Sequence, residues 1–380
     1  MPVTTTGVQY SGIWNLSSQA SAVALTTWPL PNAYQWGWGG NNYGQLGDGT
    51  TTNRSSPVQV GALTTWLNTA CGSYFTTSIK TDGTIWSWGR GATGRLGLGN
   101  ITDYSSPKQI GALTNWLRHS CGYANVSAIK TDGTLWAWGR NNFGQLGLGN
   151  TTSYSSPKQV GALTAWSSIS TSNFTMATKT DGTLWVWGYN NYGQLGLGNI
   201  TYYSSPKQVG ILTTWSKVAA VNNFALATKT DGTLWAWGAN VYGELGDGTT
   251  TVRSSPIQVG ALTTWYNVAG GWGAFSLATK TDGTLWAWGR NSSGGLGLGD
   301  VANRSSPVQV GALTTWSKIA GGDGHTLATK TDGVLWSWGK NNQGQLGLGN
   351  TTYYSSPKQV GGLSGWLNIA ANYFSAAIKT

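Results

Sequence analysis

Apolar side chains recur at every second position in short segments of this chain, and the clearest segment is KTDGTLWAWG, residues 130–139. A period of two is the spacing of a β-strand, whose successive side chains point to opposite faces of the sheet. Trp136 and Trp138 therefore share one face of the predicted strand, and Leu135 and Ala137 share the other. Because both faces are apolar, the predicted sheet needs a packing partner on each side.

The same segment returns along the whole chain with a period of about 50 residues, and each of the seven copies ends in a Trp-Gly step. Such a period is typical of repeat proteins, in which each unit packs only against its neighbours. Small sheets packed on both faces by identical sheets in a radial arrangement form a β-propeller. We divide each repeat into four predicted strands, called A to D in chain order. In the first complete repeat they are Trp66 to Gly72, Phe75 to Lys80, Ile85 to Gly89, and Pro107 to Gly111.

The two ends of the array are incomplete in complementary ways. Residues 34–39 read as a strand C with no strand A or B before it, and the final residues FSAAIKT read as a strand B with no strand C after it. We expect the last blade to combine strands A and B from residues 364–380 with strands C and D from residues 34–62, which removes exposed sheet edges. The predicted fold is all-β, a seven-bladed β-propeller over residues 33–380 with four-stranded antiparallel blades.

The Asp-Gly pair and the Pro of the SSP step predict where strands begin and end in each repeat. The Asp-Gly pair of the TDG steps predicts a type I′ hairpin between strands B and C, because both central residues of that turn have positive φ. The Pro of the SSP steps predicts the first residue of strand D, where a missing N–H is tolerated.

Tryptophan and charge add two further features. Of the 24 Trp, 21 occupy three fixed places per repeat, which indicates packing between blades, and only Trp14, Trp28 and Trp272 lie outside the pattern. The formal charge is +10, and the basic residues recur in rings: in the KT steps, in the SSPK steps and after the Trp-Gly steps. These rings predict either a solvated basic face or a surface for an anionic partner, with a glycan favoured over nucleic acid.

Few residues are suited to catalysis or metal binding. Outside the predicted turns, His119, His325, Glu244 and a few Asp are the supply for general acid-base chemistry. His325 stands where most repeats have Phe, so we interpret it as a packing residue. Two Cys and two His without finger-like spacing predict no metal site. We expect no catalytic residues and no cofactor.

Cys71 and Cys121 hold equivalent positions in adjacent repeats. Packed sheets lie about 10 Å apart, which is too far for a disulfide, so two free thiols are predicted. No segment is long enough to insert into a membrane, and the N-terminus lacks the basic and apolar regions of a secretory signal. Residues 1–32 lie outside the repeats, and their apolar content favours an attachment segment over a disordered tail.

One interval varies among the repeats. The strand A Trp precedes the strand B Lys by 14 residues in most copies, by 13 in two copies, and by 15 from Trp265 to Lys280. The A-to-B turn within this interval also varies in chemistry, and a variable ring on a constant frame is where recognition usually lies. Neutral drift at permissive loop tips is the competing interpretation. The candidate ligand-binding residues of this ring are Tyr74, Tyr123, Asn173, Asn223, Trp272, Asp323 and Tyr373.

Aromatic side chains stack on sugar rings and amides bind sugar hydroxyls. Because the A-to-B turns place aromatic residues beside Asn173, Asn223 and Asn372, we expect a host glycan as ligand, and nearby Lys and Arg favour an anionic one. A second candidate surface lies just before the SSP steps and consists of Arg54, Tyr104, Tyr154, Tyr203, Arg253, Arg304 and Tyr354.

The string WGRNNFGQLGLG, residues 138–149, closely resembles the signature of the regulator of chromosome condensation repeat family. The resemblance covers residues 33–380 and implies a seven-bladed propeller whose last blade is shared between the termini. The best-known member is a guanine-nucleotide exchange factor that also binds chromatin. Exchange depends on individual loops and acidic side chains of one face, whereas the blades here are nearly uniform and hold few acids outside turns. Many other members are binding scaffolds.

The leader TGVQYSGIWNLSSQ, residues 6–19, resembles the start of virion proteins of marine tailed phages. We therefore expect a non-enzymatic binding or structural protein, in first place a tail or capsid appendage that is made in the host cytoplasm and displays the propeller in the virion. Its predicted partners are a host-surface glycan or protein receptor and, through residues 1–32, other virion proteins. A cytoplasmic interaction scaffold or exchange factor and a free lectin are the alternatives.

Overall fold

The computed structural model describes residues 32–380. These residues form seven four-stranded antiparallel sheets, each with the strand order A, B, C, D. The predicted propeller and its number of blades are confirmed. The predicted leader, with Trp14, Trp28 and the phage-like residues 6–19, lies outside the described residues.

Strands A and B supply the inner half of each blade. Strand A begins at the Trp that ends each D-to-A loop, and strand B ends at the Lys of each KT step. The A strands are Trp66–Gly72, Trp116–Cys121, Trp166–Thr171, Trp215–Val221, Trp265–Gly271, Trp316–Gly321 and Trp366–Ala371. The B strands are Phe75–Lys80, Asn125–Lys130, Phe174–Lys179, Phe224–Lys229, Phe275–Lys280, His325–Lys330 and Phe374–Lys379.

Strands C and D supply the outer half. The C strands are Tyr34–Gly39, Ile85–Gly89, Leu135–Gly139, Leu184–Gly188, Leu234–Gly238, Leu285–Gly289 and Leu335–Gly339. The D strands are Arg54–Gln59, Tyr104–Gln109, Tyr154–Gln159, Tyr203–Gln208, Arg253–Gln258, Arg304–Gln309 and Tyr354–Gln359. One 3₁₀ turn covers Ala92–Gly94. The part of the chain that the structure describes contains no helix with the length and hydrophobicity of a membrane-spanning segment.

We number the blades in chain order and place the closing blade last. Blade 1 spans residues 66–109, blade 2 residues 116–159, blade 3 residues 166–208, blade 4 residues 215–258, blade 5 residues 265–309 and blade 6 residues 316–359. Blade 7 joins residues 366–379 to residues 34–59. Its central pair runs from Tyr34 opposite Lys379 to Gly39 opposite Phe374 without interruption. The predicted closure by strands from both ends is therefore confirmed.

The hydrophobic core lies between blades rather than within them. Trp138 of strand C is fully buried, and its indole Nε1 donates a hydrogen bond to the Arg95 carbonyl of the preceding blade at 3.1 Å. Trp116 meets Trp138 and Trp136 edge to face, with ring centroids 6.0 and 6.1 Å apart. The same three-Trp arrangement recurs around the ring, so the 21 patterned Trp are explained by packing.

The Lys residues of the KT steps pack on this core. Lys130 Nζ lies 3.7 Å from the ring centroid of Trp136 and 4.9 Å from that of Trp116. Lys130, Lys229 and Lys280 are buried, and burial lowers the pKa of Lys130, opposed by the charge of Asp132. Six of the seven KT lysines make such cation–π contacts, so this basic ring packs on the Trp residues and is not simply a solvated face.

The predicted type I′ turn is wrong. In the first TDG turn only Gly83 has a positive φ, of 76°, and Asp82 does not. The Gly83 N–H donates to the Lys80 carbonyl at 2.9 Å, and the Asp82 carboxylate accepts hydrogen bonds from the N–H and hydroxyl of Thr84 at 2.9 and 2.6 Å. Asp therefore acts through its side chain, in a longer turn with a single left-handed residue at Gly.

The predicted start of strand D is also wrong. Strand D of blade 1 begins at Tyr104, three residues before Pro107. The pairing with strand C is irregular between Ser87 and Gly89, so Pro107 lies at a bulge of an edge strand, where no ladder hydrogen bond is lost. Cys71 and Cys121 are free and buried, as predicted.

Candidate functional site

The two candidate sets of residues lie on the same face of the propeller. Phe75, which follows the A-to-B turn of blade 1, pairs with Gly89 at the end of strand C, and Gly89 pairs with Tyr104 at the start of strand D. The A-to-B turns and the C-to-D loops therefore share one face, which we call the loop face. The A-to-B residues form its inner ring, and the residues at the start of strand D form its outer ring.

Backbone hydrogen bonds place a further residue beside most of the A-to-B turns. The N–H of Arg90 donates to the Tyr74 carbonyl at 2.8 Å, and the N–H of Lys340 donates to the Gly324 carbonyl at 2.9 Å. In six of the seven blades, the residue after the Trp-Gly step is anchored in this way to the A-to-B turn of its own blade. Tyr74 itself has a φ of 64°, a left-handed conformation that the turn imposes.

Aromatic inner-ring residues contact one another across blade boundaries. Tyr74 of blade 1 stacks on Tyr373 of blade 7 with centroids 4.9 Å apart and ring planes 4° from parallel. Tyr43 packs against Tyr74 at 5.3 Å, and the Arg90 guanidinium lies over Tyr43 at 4.7 Å. These residues form a continuous, half-buried aromatic and cationic patch.

Trp272 and Tyr123 meet at the centre of the ring, with centroids 5.6 Å apart. They belong to blades 5 and 2, which lie on opposite sides, so the pair crosses the axis of the propeller. Below them is a central cavity of about 290 Å³ lined by strand A of all seven blades. Small and hydroxyl side chains such as Thr69 and Ser120 make up most of its wall.

Asp323 lies close enough to the same patch for its charge to act on Tyr373 and Tyr74. Burial, followed by the charge of Asp323, raises the pKa of Tyr373 to about 12. Burial also raises the pKa of Tyr74, and Tyr123, Tyr43 and Asp323 add to this shift. The Asp323 carboxylate forms a salt bridge with Lys340 at 2.8 Å. Tyr373 and Tyr74 are therefore neutral hydrogen-bonding groups at physiological pH.

Five of the seven predicted inner-ring residues are thus brought together, namely Tyr74, Tyr123, Trp272, Asp323 and Tyr373. Asn173 and Asn223 lie on the A-to-B turns of blades 3 and 4 and are half-buried. Asn372, whose amide we expected to face a sugar, is fully buried. That expectation is wrong, because the chain turns this side chain into the protein while the next residue, Tyr373, covers the surface.

The outer ring occurs in two chemical versions. Where the residue is Tyr, an Asn amide donates to its hydroxyl and the SSPK Lys lies over its ring, as for Asn100 and Lys108 with Tyr104 at 3.3 and 5.6 Å. Where it is Arg, an Asp of the same loop pairs with it, as for Arg253 and Asp247 at 2.9 Å. The Tyr blades contain Tyr104, Tyr154, Tyr203 and Tyr354, and the Arg blades contain Arg54, Arg253 and Arg304.

The two histidines and Glu244 are buried. His325 is fully buried with Nε2 3.0 Å from the Ser375 hydroxyl, and burial lowers its pKa to about 4, so it is neutral at pH 7. Glu244 is buried where most repeats have Gln, and its carboxylate accepts the N–H of Tyr242 at 2.7 Å. Among residues 32–380, no three His, Cys, Asp or Glu side chains come together as a metal site.

Sequence reasoning missed several residues of the loop face. Tyr43 and Arg90 extend the aromatic patch, and Arg290 and Lys340 line a notch beside Asp323. The basic residues after the Trp-Gly steps could have indicated these positions, but the sequence analysis interprets them only as one of the rings of positive charge. Buried Arg95 was also missed; its guanidinium donates to the Ser73 carbonyl at 3.0 Å, and burial lowers its pKa to about 10.

Comparison with known proteins agrees with this architecture. The model of the RCC1-like domain matches residues 120–378, and that of the regulator of chromosome condensation (RCC1) repeat matches residues 36–79 and 82–129. Because these matches cover most of the propeller, the chain belongs to the RCC1-like family. None of the curated proteins matches it.

Solved structures share the fold at low sequence identity. Human WBSCR16 superposes with a TM-score of 0.82 at 20% identity, over 93% of this chain and 99% of that chain. Yeast RCC1 (Prp20), in a structure bound to Kap60, gives a TM-score of 0.81 at 17% identity, over 100% of this chain and 95% of that chain. Prp20p of Saccharomyces cerevisiae, described with its binding to Gsp1p and histones, gives 0.81 at 19% identity, over 98% and 96%.

Proposed function

We propose that this protein is a non-enzymatic binding protein that recognises its ligand with the inner ring of the loop face. The observation that carries the proposal is the patch formed by Tyr74, Tyr373, Tyr43 and Arg90, which draws different groups from blades 7 and 1 into one half-exposed surface. A structural repeat needs no such asymmetry. Variation that assembles a mixed aromatic and polar surface at one place is the usual form of a binding site on a rigid frame.

The proposed ligand is a glycan, and an anionic one is favoured. The neutral tyrosines offer flat apolar rings together with hydroxyls, which suit the apolar faces and hydroxyls of a sugar. Arg90 adds positive charge at the edge of the same surface, and Lys340, although paired with Asp323, has further N–H donors there. Stacking and directed hydrogen bonds together would give orientation, and the cations would add attraction for carboxylate or sulfate groups.

A glycan array tests the ligand class. The wild-type chain is compared with Tyr74→Ala and Trp272→Ala, and Tyr154→Ala of the outer ring is the matched control. We expect glycan binding that falls at least fivefold in both inner-ring variants and persists in the control, since losing a stacked ring costs about 1 to 3 kcal/mol. Binding that survives both inner-ring changes and falls with Arg54, Tyr104 or Arg253 would move the site to the outer ring.

We further propose that the propeller is displayed on a phage virion for adhesion to a host surface, with the leader as its attachment to other virion proteins. The support is the resemblance of residues 6–19 to phage virion leaders. Mass spectrometry of purified particles of the phage that encodes the chain tests this location. Particles that lack the protein would contradict virion display, and a glycan-binding protein absent from particles would instead be a free lectin.

A protein partner is the second candidate. Family membership favours it, since yeast Prp20 is described with Kap60 and with binding to Gsp1p and histones. Under this alternative the loop face is an interaction scaffold or part of an exchange factor. Accelerated release of a labelled guanine nucleotide from a small GTPase on addition of this protein would establish the exchange activity, and the same inner-ring variants would show which face contacts the GTPase.

A further inference from the structure

The boundary between blades 5 and 6 lacks side chains that the other repeats have. Ser293 stands where four other repeats have an aromatic residue, and Gly295 stands where every other repeat has Gln, Glu or Arg. Gly324, in the A-to-B turn of blade 6, stands where every other repeat has a residue with a side chain. At this boundary the loop face contains a notch of about 100 Å³.

Charged and hydroxyl groups line the notch. The wall includes Arg290, Lys340, Asp323, Ser292 and Ser293, together with three glycines. The Lys340 ammonium is held at the wall by its salt bridge to Asp323 at 2.8 Å. The Arg290 guanidinium lies over the ring of Tyr242 at 5.0 Å, which limits its freedom.

Glycine at position 324 keeps the notch open. Its φ is +84°, and a Cβ built there would lie 3.5 Å from Ser293 Oγ and 3.4 Å from Lys340 Cβ. A larger side chain would therefore extend into the space between these two residues. Tyr74 and Ala274, at the equivalent position in blades 1 and 5, have φ values of 64° and 65°, so the backbone of this turn accepts a side chain where the sequence provides one, and Asn is among the residues that tolerate this conformation best.

The lining favours a small anionic group. Two cations against one carboxylate leave a net positive charge, and Arg290 can donate two parallel hydrogen bonds to a carboxylate or sulfate. The Lys340 ammonium has three donors, of which Asp323 uses one, and the Ser hydroxyls add further donors. The volume has room for about three water-sized atoms, which fits one acidic substituent and not a whole sugar ring.

We propose that the notch between blades 5 and 6 binds a carboxylate or sulfate group between Arg290 and Lys340. Asp323 belongs to both the notch and the inner ring, so the acidic group is one substituent of the ligand that the inner ring holds. In this respect the inference rests on the proposed function. The notch then gives the ring its preference for acidic over neutral glycans.

Nitrogen-15 NMR of the arginine side chains tests the notch without a known ligand. The sequence has eight Arg, so the Nε–H signals form a small set that can be assigned by substitution. The full chain is titrated separately with sodium sulfate, sodium acetate and sodium glucuronate at constant ionic strength. We expect a saturable shift of the Arg290 signal and none of Arg140, the equivalent residue of blade 2.

Two variants give the controls. Lys340→Ala removes one cation, and Gly324→Asn fills the notch without changing its charge; each should raise the apparent Kd of the Arg290 shift at least fivefold. Arg140→Ala should leave it unchanged. Linear shifts that never saturate, or equal shifts at Arg140 and Arg290, would show general ion screening and overturn the proposal.

The source of the acidic group is decided by the three titrants and by the glycan array. Tighter binding of glucuronate than of acetate or sulfate indicates a sugar-borne group. On the array, Arg290→Ala should lose acidic glycans at least tenfold and keep neutral ones. Saturable binding of sulfate with no glycan bound by the wild type would overturn the glycan ligand and keep the anion site. Glycan binding that is unchanged by Arg290→Ala would overturn the role of the notch and keep the inner ring.

Discussion

The inner and outer rings of the loop face both vary among the seven repeats, but they vary in different ways. In the outer ring each change is matched inside the same blade: Tyr occurs with an Asn and a Lys partner, and Arg occurs with an Asp and an aliphatic residue in place of that Lys. In the inner ring the aromatic contacts reach other blades, as between Tyr74 and Tyr373 or between Tyr123 and Trp272.

Sequence variation among repeats can therefore have two causes, a structural role performed by alternative residues or a surface built from unlike residues. The outer ring keeps one structural task, tying the C-to-D loop to the start of strand D, and performs it with two alternative sets of residues. The inner ring has no common task that its seven members perform. Its members instead add unlike groups to a shared surface, which is the behaviour expected of a recognition site.

The largest expected effect is on the frame that carries both rings. Deleting residues 33–62 removes strands C and D of blade 7 and leaves strands A and B of that blade without their partners. Exposed edges and a lost pair of blade interfaces should abolish the cooperative unfolding transition. Circular dichroism during heating measures this. A truncated chain that melts like the full chain would contradict the closure.

A smaller effect is expected from a mismatch in the outer ring. Arg253→Tyr leaves the largely buried carboxylate of Asp247 without its cation and should cost about 1 to 2 kcal/mol of unfolding free energy in urea. Changing Asp247→Leu, Thr249→Asn and Ile257→Lys in the same chain converts blade 4 to the Tyr version and should restore most of the loss. If the fourfold variant is no more stable than Arg253→Tyr alone, the claim that each outer-ring residue is matched to partners in its own blade is wrong.

Glu244 lies in the C-to-D loop between the two rings. Replacing it with Gln should stabilise the protein. Burial raises its carboxyl pKa above the ordinary value, so the native state holds the proton more tightly than the unfolded chain. Stability is then greatest below the ordinary carboxyl pKa and falls as pH rises through the native pKa. Glu244→Gln should gain about 1 kcal/mol at pH 7 and little at pH 4. Urea unfolding at both pH values checks this, and an equal gain at each would rule out the charge as its cause.

Repetition made the frame predictable from the sequence. A period-two pattern that occurs once is ambiguous, but seven copies in phase defined strand C, and the unmatched strands at Tyr34 and Phe374 required closure. The turn was mistaken because Asp-Gly occurs in hairpins of different length, and the deciding contacts are those of the Asp82 side chain with Thr84. The start of strand D was misplaced because Pro107 occupies a bulge.

The candidate site was predictable only in part. The A-to-B turns could be predicted because the spacing between the strand A Trp and the strand B Lys differs among the repeats, and such insertions are visible in the sequence. The contact of Tyr123 with Trp272 depends on how blades 2 and 5 face each other across the axis, which no local pattern encodes. The burial of Asn372 beside half-exposed Tyr373 likewise depends on the local path of the turn.

The central claim is that the inner ring recognises a ligand and the outer ring maintains the fold. The most direct test replaces one tyrosine in each ring, Tyr74→Ala and Tyr104→Ala, and measures glycan binding together with unfolding free energy. Both variants should lose about 1 kcal/mol of stability through lost aromatic contacts. Only Tyr74→Ala should weaken glycan binding, by about fivefold or more. Binding that falls with Tyr104→Ala and survives Tyr74→Ala would contradict the claim.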